Sequence, residues 1–306
     1  MPREAFGPDH VFLGRTEILS YEEFARLVAV FAELGVSKVR LTGGEPLLRK
    51  DLEALISMVA ATPGIDDVAL TTNGSLLAPR AAALRAAGLS RVTVSLDTID
   101  PAMFGAMADS RLSLTSVLDG IASAVEAGLT PVKLNAVVRR GRNDDGIVEL
   151  AEFARVHGHV LRFIEYMDVG DTNKWVLDDV VPSAEVISRI NAVFPVEPMP
   201  WIRRGEVAKR WRYVDGSGEI GVISSVTQPF CTDCTRARVT STGELFTCLF
   251  GSGKLDLRAM MRGGASDDDL RQAVSTVWSG RRDRYSEVMR GTGSNEPRAE
   301  MSYLGG

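Results

Sequence analysis

Apolar runs of strand length alternate with amphipathic stretches of helix length over the first two-thirds of the chain. Ser20-Tyr21-Glu22-Glu23 forms a capping box, predicting a helix to Leu34 that Gly35 stops. Val36–Leu41 then reads as a strand ending in Gly43-Gly44-Glu45-Pro46. Helix 51–61 and strand 68–72 follow, the strand ending in Asn73-Gly74. Helix 79–87, strand 92–96, helix 113–127, strand 132–138, helix 144–157 and strand 160–166 continue the rhythm to Met167.

Strands separated by helical patterns imply βαβ units and a parallel sheet. In a parallel barrel, chemistry collects where strands end, and these strands end on polar residues. A doubly wound open sheet is the alternative. The absence of G-x-G-x-x-G after a first strand weakens its nucleotide-binding form. Beyond Met167 the rhythm stops. Residues 182–194 read as a further helix, 209–248 as antiparallel β with turns at Asp215-Gly216-Ser217-Gly218 and Ser241-Thr242-Gly243-Glu244, and 266–278 as a late helix. Two units are expected, 1–195 with the βα rhythm and 196–306 without it.

Composition narrows the class. With 45% hydrophobic and 25% charged residues, the 306-residue chain has the makeup of a globular protein. A net charge of −5 argues against a nucleic-acid surface. No stretch is long and apolar enough for a membrane span, and the N-terminus does not have the pattern of a secretory signal, so a cytoplasmic location is expected. Clustered cysteines in that compartment serve as metal ligands or redox thiols more often than as disulfides.

All three cysteines, Cys231, Cys234 and Cys248, have the spacing C-x2-C-x13-C. The first pair places two thiolates on one tight loop, and the turn at Gly243 returns the third. The histidines, His10, His157 and His159, lie far away in sequence. A structural zinc site ordinarily takes four protein ligands, whereas an iron–sulfur cluster with three cysteines leaves one iron open. Both readings stand on spacing alone. Arg236 and Arg238 beside the cysteines favour an anionic ligand such as phosphate.

R-L-T-G-G-E-P-L-L-R at 40–49, T-T-N-G at 71–74, S-L-D at 95–97, C-T-D-C-T-R-A-R at 231–238, Cys248 and the terminal Gly305-Gly306 occur in one order along the chain. Together they resemble the GTP 3′,8-cyclase family of molybdenum cofactor biosynthesis, within the radical S-adenosylmethionine (SAM) enzymes. The resemblance implies an incomplete parallel (βα)6 barrel closed by a C-terminal extension. It implies SAM and two [4Fe–4S] clusters, one cleaving SAM and one held by Cys231, Cys234 and Cys248 with an open iron for guanine. The implied reaction converts GTP to (8S)-3′,8-cyclo-7,8-dihydroguanosine 5′-triphosphate.

By position, Gly44, Ser95 and Met167 resemble SAM contacts, and Arg40, Thr71, Lys133, Arg236, Ala237 and Arg238 resemble GTP contacts. Singly, these residues have plainer roles: a tight turn at Gly43-Gly44, a backbone cap at Ser95, core filling by Met167, a solvated edge at Lys133 and a frayed Gly-Gly end. The family further implies a homodimer, an electron donor that the sequence does not identify, and a downstream cyclic pyranopterin monophosphate synthase that accepts the product. Nucleic acid and membrane are not implied partners.

The chain departs from the family pattern at its start. The family's C-x3-C-x2-C motif, which ligates the SAM cluster, does not occur, and Met1-Pro2 resembles the Met-Pro that follows its third cysteine. The expectation is therefore a barrel without its first strand, an edge at 36–41 and no SAM cleavage by these residues alone. A start assigned at an internal methionine, a truncated paralogue and a deliberately shortened chain would each account for this. The functional alternatives are a non-catalytic GTP- and iron–sulfur-binding paralogue and a structural zinc protein.

Overall fold

The computed structural model describes residues 13–108, 112–169, 175–201, 205–228, 231, 234–251, 253 and 255–281. Met1-Pro2 and Gly305-Gly306 lie outside the described residues. The expected alternation is present: α1 (Tyr21–Glu33), β1 (Lys38–Leu41), α2 (Leu52–Ala60), β2 (Asp67–Thr72), α3 (Ala81–Ala86) and β3 (Arg91–Ser95). There follow α4 (Pro101–Ala108), α5 (Leu114–Glu126), β4 (Lys133–Val138), α6 (Ile147–Val156), β5 (Val160–Glu165) and α7 (Ser183–Asn191). The α1 capping box forms as expected, with the Glu23 amide donating to Ser20 Oγ at 3.1 Å and the Ser20 amide to Glu23 Oε2 at 2.7 Å.

Helix α4 was not expected. It buries no residue, so it lacks the apolar stripe that periodicity detects. Its start is set instead by Asp100, whose carboxylate accepts from the Met103 amide at 2.6 Å.

Strands β1 to β5 pair in chain order and in parallel. This order decides between the two expected architectures. A doubly wound sheet reverses its strand order at a switch point. With right-handed crossovers and no reversal, every helix falls on the same face. The packing agrees, because Val68, Leu70, Val92, Val94, Leu134 and Phe163 join α2, α3, α5, α6 and α7 in one core. Burial of such side chains contributes about 1.5–3 kcal/mol each relative to exposure.

Beyond β5 come β6 (Val196–Pro198), β7 (Lys209–Tyr213) and β8 (Glu219–Ile223). The β7–β8 hairpin is antiparallel, as its turn predicts, with φ of +78° at Gly216 and +129° at Gly218. Its second strand also pairs in parallel with β5. The sheet order becomes β1-β2-β3-β4-β5-β8-β7-β6, so the sheet runs past residue 195. Among the described residues β1 pairs only with β2 and forms the edge.

The remaining strands, β9 (Arg238–Val239), β10 (Glu244–Phe246) and β11 (Leu255–Asp256), make a separate antiparallel sheet followed by α8 (Leu257–Arg262) and α9 (Asp267–Ser279). A second core joins this unit to α1 through Leu27, Val30, Leu245, Leu257, Leu270 and Val274. Polar bonds reinforce the join: Arg26 pairs with Asp267 at 2.7 Å and Arg262 with Glu23 at 2.8 Å. No helix among the described residues is long and apolar enough to cross a membrane.

Candidate functional site

In-register partners of a parallel sheet share a face, so the pairing assigns every side chain to one of two surfaces. Val68, Leu70, Val94, Leu134 and Phe163 face the helices. The other face has Arg40 beside Ala69 and Arg91, then Thr71 beside Thr93 and Lys133, then Ser95 beside Asn135, Arg162 and Gly221. One surface is therefore apolar and covered, and the other is rich in cations, hydroxyls and amide.

The Arg40 guanidinium donates to Thr71 Oγ1 at 2.7 Å and to Thr93 Oγ1 at 3.2 Å, crossing β2 to reach β3. Arg91 is spent on Asp67, at 2.5 and 2.8 Å, and Lys38 joins that carboxylate at 3.1 Å. Among the described residues, Arg40, Lys133 and Arg162 have no carboxylate at ion-pair distance.

These cations perturb one another. Burial, followed by the charges of Arg162, Arg91 and Arg40, pushes the Lys133 ammonium down to about 8. Arg40 keeps a solvent-accessible edge. Crowding of the rest of its side chain, followed by Arg91 and Arg162, brings it down to about 10. Burial and Arg91 likewise lower Arg162. A surface that weakens its own cations is suited to a polyanion, which relieves the repulsion.

Above this face lie the loops at the strand C-termini. Gly44 is exposed, next to Gly43 at φ +152°. Glu45 anchors this loop: its carboxylate accepts from Thr72 Oγ1 at 2.7 Å, the Leu47 amide at 3.0 Å and the Asn73 amide at 2.8 Å. The G-G-E-P and T-T-N-G stretches are thereby tied together. Ser95 is exposed at the end of β3, and Met167 is half-buried two residues beyond β5. Gly44, Ser95 and Met167 thus share the C-terminal edge at β1, β3 and β5.

The cysteines approach from the C-terminal unit. The Cys234 amide donates to Cys231 O at 3.2 Å, closing the tight turn, and the Phe250 amide contacts Cys248 Sγ at 3.5 Å. All three cysteines are outside disulfides and half-buried. Burial raises the Cys234 thiol, but the Arg236 charge and hydrogen bonds from Arg281 and Arg236 outweigh it and bring it to about 7. Arg238, brought down to about 10 by burial and by Arg236, lies within the fields of Cys234 and Cys248. Arg236 also acts on Arg40, which places the cysteine loop and the polar face within electrostatic reach.

The donor set fits an iron–sulfur cluster chemically, since none of the three soft sulfur donors is taken up in a disulfide. Among the described residues, no three His, Cys, Asp or Glu side chains converge on a metal ion.

Comparison with known proteins shows the family. Residues 6–154 match the family described as the radical SAM superfamily, and residues 159–287 match Molybdenum Cofactor Synthesis C. The chain is 52% identical to the GTP 3′,8-cyclase of Acidothermus cellulolyticus, over 100% of this chain and 91% of that protein. The chain belongs to the GTP 3′,8-cyclase family. The GTP 3′,8-cyclases of Xanthomonas axonopodis and Staphylococcus haemolyticus are 48% and 43% identical, over 98% and 100% of this chain and 89% and 91% of those proteins.

In this GTP 3′,8-cyclase family member, the polar-face residues of β1 to β4 fall in the radical SAM match, and Arg162 and the cysteines fall in the second match. Membership of the radical SAM superfamily implies a [4Fe–4S] cluster and SAM. The structure joins Arg40 directly to Thr71 and sets Lys133 within their reach, while Ala237 is exposed between Arg236 and Arg238.

Sequence reasoning missed Arg91, Thr93, Asn135 and Arg162 on the same face. The available signal was a polar residue at every second position of otherwise apolar strands, as in Lys133-Leu134-Asn135-Ala136 and Leu161-Arg162-Phe163. Asn135 Oδ1 is buried without a hydrogen-bond partner in the structure, on the same sheet face as Ser95, Lys133 and Arg162.

Proposed function

We propose that this chain binds GTP against the polar sheet face and serves the GTP 3′,8-cyclase reaction, closing a bond between ribose C3′ and guanine C8. The observation that carries the reading is the group of three cations, Arg40, Lys133 and Arg162, with no carboxylate at ion-pair distance among the described residues. In this reading they receive the triphosphate together with Arg236 and Arg238, whose forked guanidinium geometry matches phosphate oxygens. Thr71 and Thr93 hold the Arg40 fork in place before the ligand arrives, which lowers the ordering cost of binding.

Cys231, Cys234 and Cys248 would hold a [4Fe–4S] cluster, which when bound supplies a Lewis-acidic iron with an open position for the purine. Ala237 has too little bulk to block approach between its two arginines. Gly44, Ser95 and Met167 are assigned to SAM at the strand ends, with Glu45 fixing the backbone of the glycine turn. Asn135 Oδ1 provides an acceptor for a hydroxyl or ammonium group at the same level of the sheet.

The chain contains three cysteines, enough for one thiolate set. In this reading these 306 residues bind GTP but do not cleave SAM by themselves. The test uses the chain reconstituted anaerobically with iron and sulfide. GTP binding near iron stoichiometry, with loss of affinity for guanosine, supports the reading. Zinc in the site with no response to GTP overturns it. Release of 5′-deoxyadenosine from SAM under strong reductant would refute the ligand count.

A further inference from the structure

Glu165 ends β5 on the helix-facing side and is 2% exposed. Its Oε1 accepts from the Ser183 amide at 2.8 Å, from Ser183 Oγ at 2.9 Å and from Thr227 Oγ1 at 2.5 Å. Its Oε2 accepts from the amides of Val226 at 2.9 Å and Thr227 at 2.8 Å. Among the described residues no cation pairs with it. A buried carboxylate in such surroundings is costly unless donors replace its water, and here five do.

The two oxygens divide the work unevenly: Oε1 serves the start of α7 and also the Thr227 hydroxyl, and Oε2 serves the 226–227 backbone alone. The Oε1 side caps α7, whose own N-cap, Pro182, offers no side-chain bond. Capping alone would need only a short polar residue at the helix start. The Oε2 side holds the 226–227 backbone, which follows β8 and leads into the cysteine stretch. From Thr227 to Cys231 the chain spans four residues, at most roughly 14 Å when extended. At the other end of the turn, Arg281 donates to Cys234 O at 2.6 Å.

We propose that Glu165 is the positioning residue of the cluster site, holding residues 226–227 so that Cys231 and Cys234 are presented beside the end of β5. This rests on the assignment of those cysteines as iron ligands. Groups that orient metal ligands from behind typically matter roughly ten- to hundredfold in metal retention.

The experiment uses the chain loaded anaerobically with iron and sulfide, and measures iron release to a ferrous chelator and hydrogen exchange at amides 226 and 227. Glu165→Gln supplies an amide nitrogen where the pocket presents only donors. It is expected to release iron roughly tenfold faster and to lose exchange protection at both amides. Thr227→Val, nearly isosteric, removes one hydroxyl donor and is expected to show the same effects at roughly threefold. Should Glu165→Gln fail to fold, Thr227→Val decides the matter. Leu84→Ala, in α3 against α2 and α5, controls for general destabilisation and is expected to lower the melting temperature with wild-type iron release. A folded Glu165→Gln with wild-type release and protection overturns the proposal. So does matching acceleration in Leu84→Ala, which makes the effect one of stability. A wild-type chain that takes up no iron defeats the ligand assignment itself, and the proposal falls with it.

Discussion

Arg40 on β1 and Thr93 on β3 belong to strands that do not pair, yet the guanidinium reaches across β2 and donates to the threonine hydroxyl at 3.2 Å, bonding Thr71 at 2.7 Å on the way. The bond spans 53 positions of sequence and fixes a cation over the polar face before any ligand binds. Arg40→Ala is expected to weaken GTP binding by roughly ten- to hundredfold, the worth of a charge-assisted contact. Iron content should remain at the wild-type level. Calorimetric titration with GTP, alongside iron analysis of the same sample, checks both.

Lys133 gives a pH signature. Its ammonium titrates at about 8, below its ordinary 10.5. Between those values the unfolded chain holds more protons than the folded one, so this group makes stability rise with pH in that window. Binding of a triphosphate runs the opposite way, because it requires the ammonium. GTP affinity is therefore expected to fall above pH of about 8, by at most roughly tenfold per unit from this one proton. Lys133→Arg, charged throughout the window, should flatten the profile. An unchanged slope in that variant would remove Lys133 from the phosphate site.

The cysteine loop separates metal ligation from anion binding. Cys234→Ser is expected to abolish the brown iron–sulfur absorption after reconstitution, because a hydroxyl is a poor substitute for a thiolate. Arg238→Ala should retain the iron and bind GTP roughly tenfold or more weakly. Loss of iron in the arginine variant would make Arg238 structural.

Gly120 in α5 permits the T-T-N-G loop to lie close against the helix layer. A Cβ at this position would stand 2.3 Å from the Gly74 carbonyl oxygen, and Gly74 itself adopts φ +81°. Gly120→Ala is expected to destabilise the fold by about 3 kcal/mol through overpacking. The fall in the guanidinium midpoint measures it. A wild-type midpoint would show that the loop can move away at little cost.

The elements legible in the sequence were those with local causes. The α1 capping box, the glycine stops and the five β-rich runs each depend on neighbours a few positions apart, and their structures follow the expectation closely. Helix α4 escaped because it has no buried stripe, and β6 because three residues carry too little pattern. The parallel partner of β8 escaped for a different reason. Its turn announces a hairpin, while the pairing to β5 joins positions about sixty residues apart through no local signal.

For the site the division is similar. Spacing alone marked the three cysteines and their flanking arginines, because ligand chemistry and loop length are both written along the chain. The same holds for the glycine turns at strand ends. Arg91, Thr93, Asn135 and Arg162 became visible only when strand register assigned them to the face opposite the helices. No local pattern singles out Glu165, which folding surrounds with five donors from two distant segments. Covalent order suffices for properties that arise between near neighbours. Which polar groups share a surface, which cations crowd one another and which carboxylate is stripped of water depend on distances that exist only after the strands have paired.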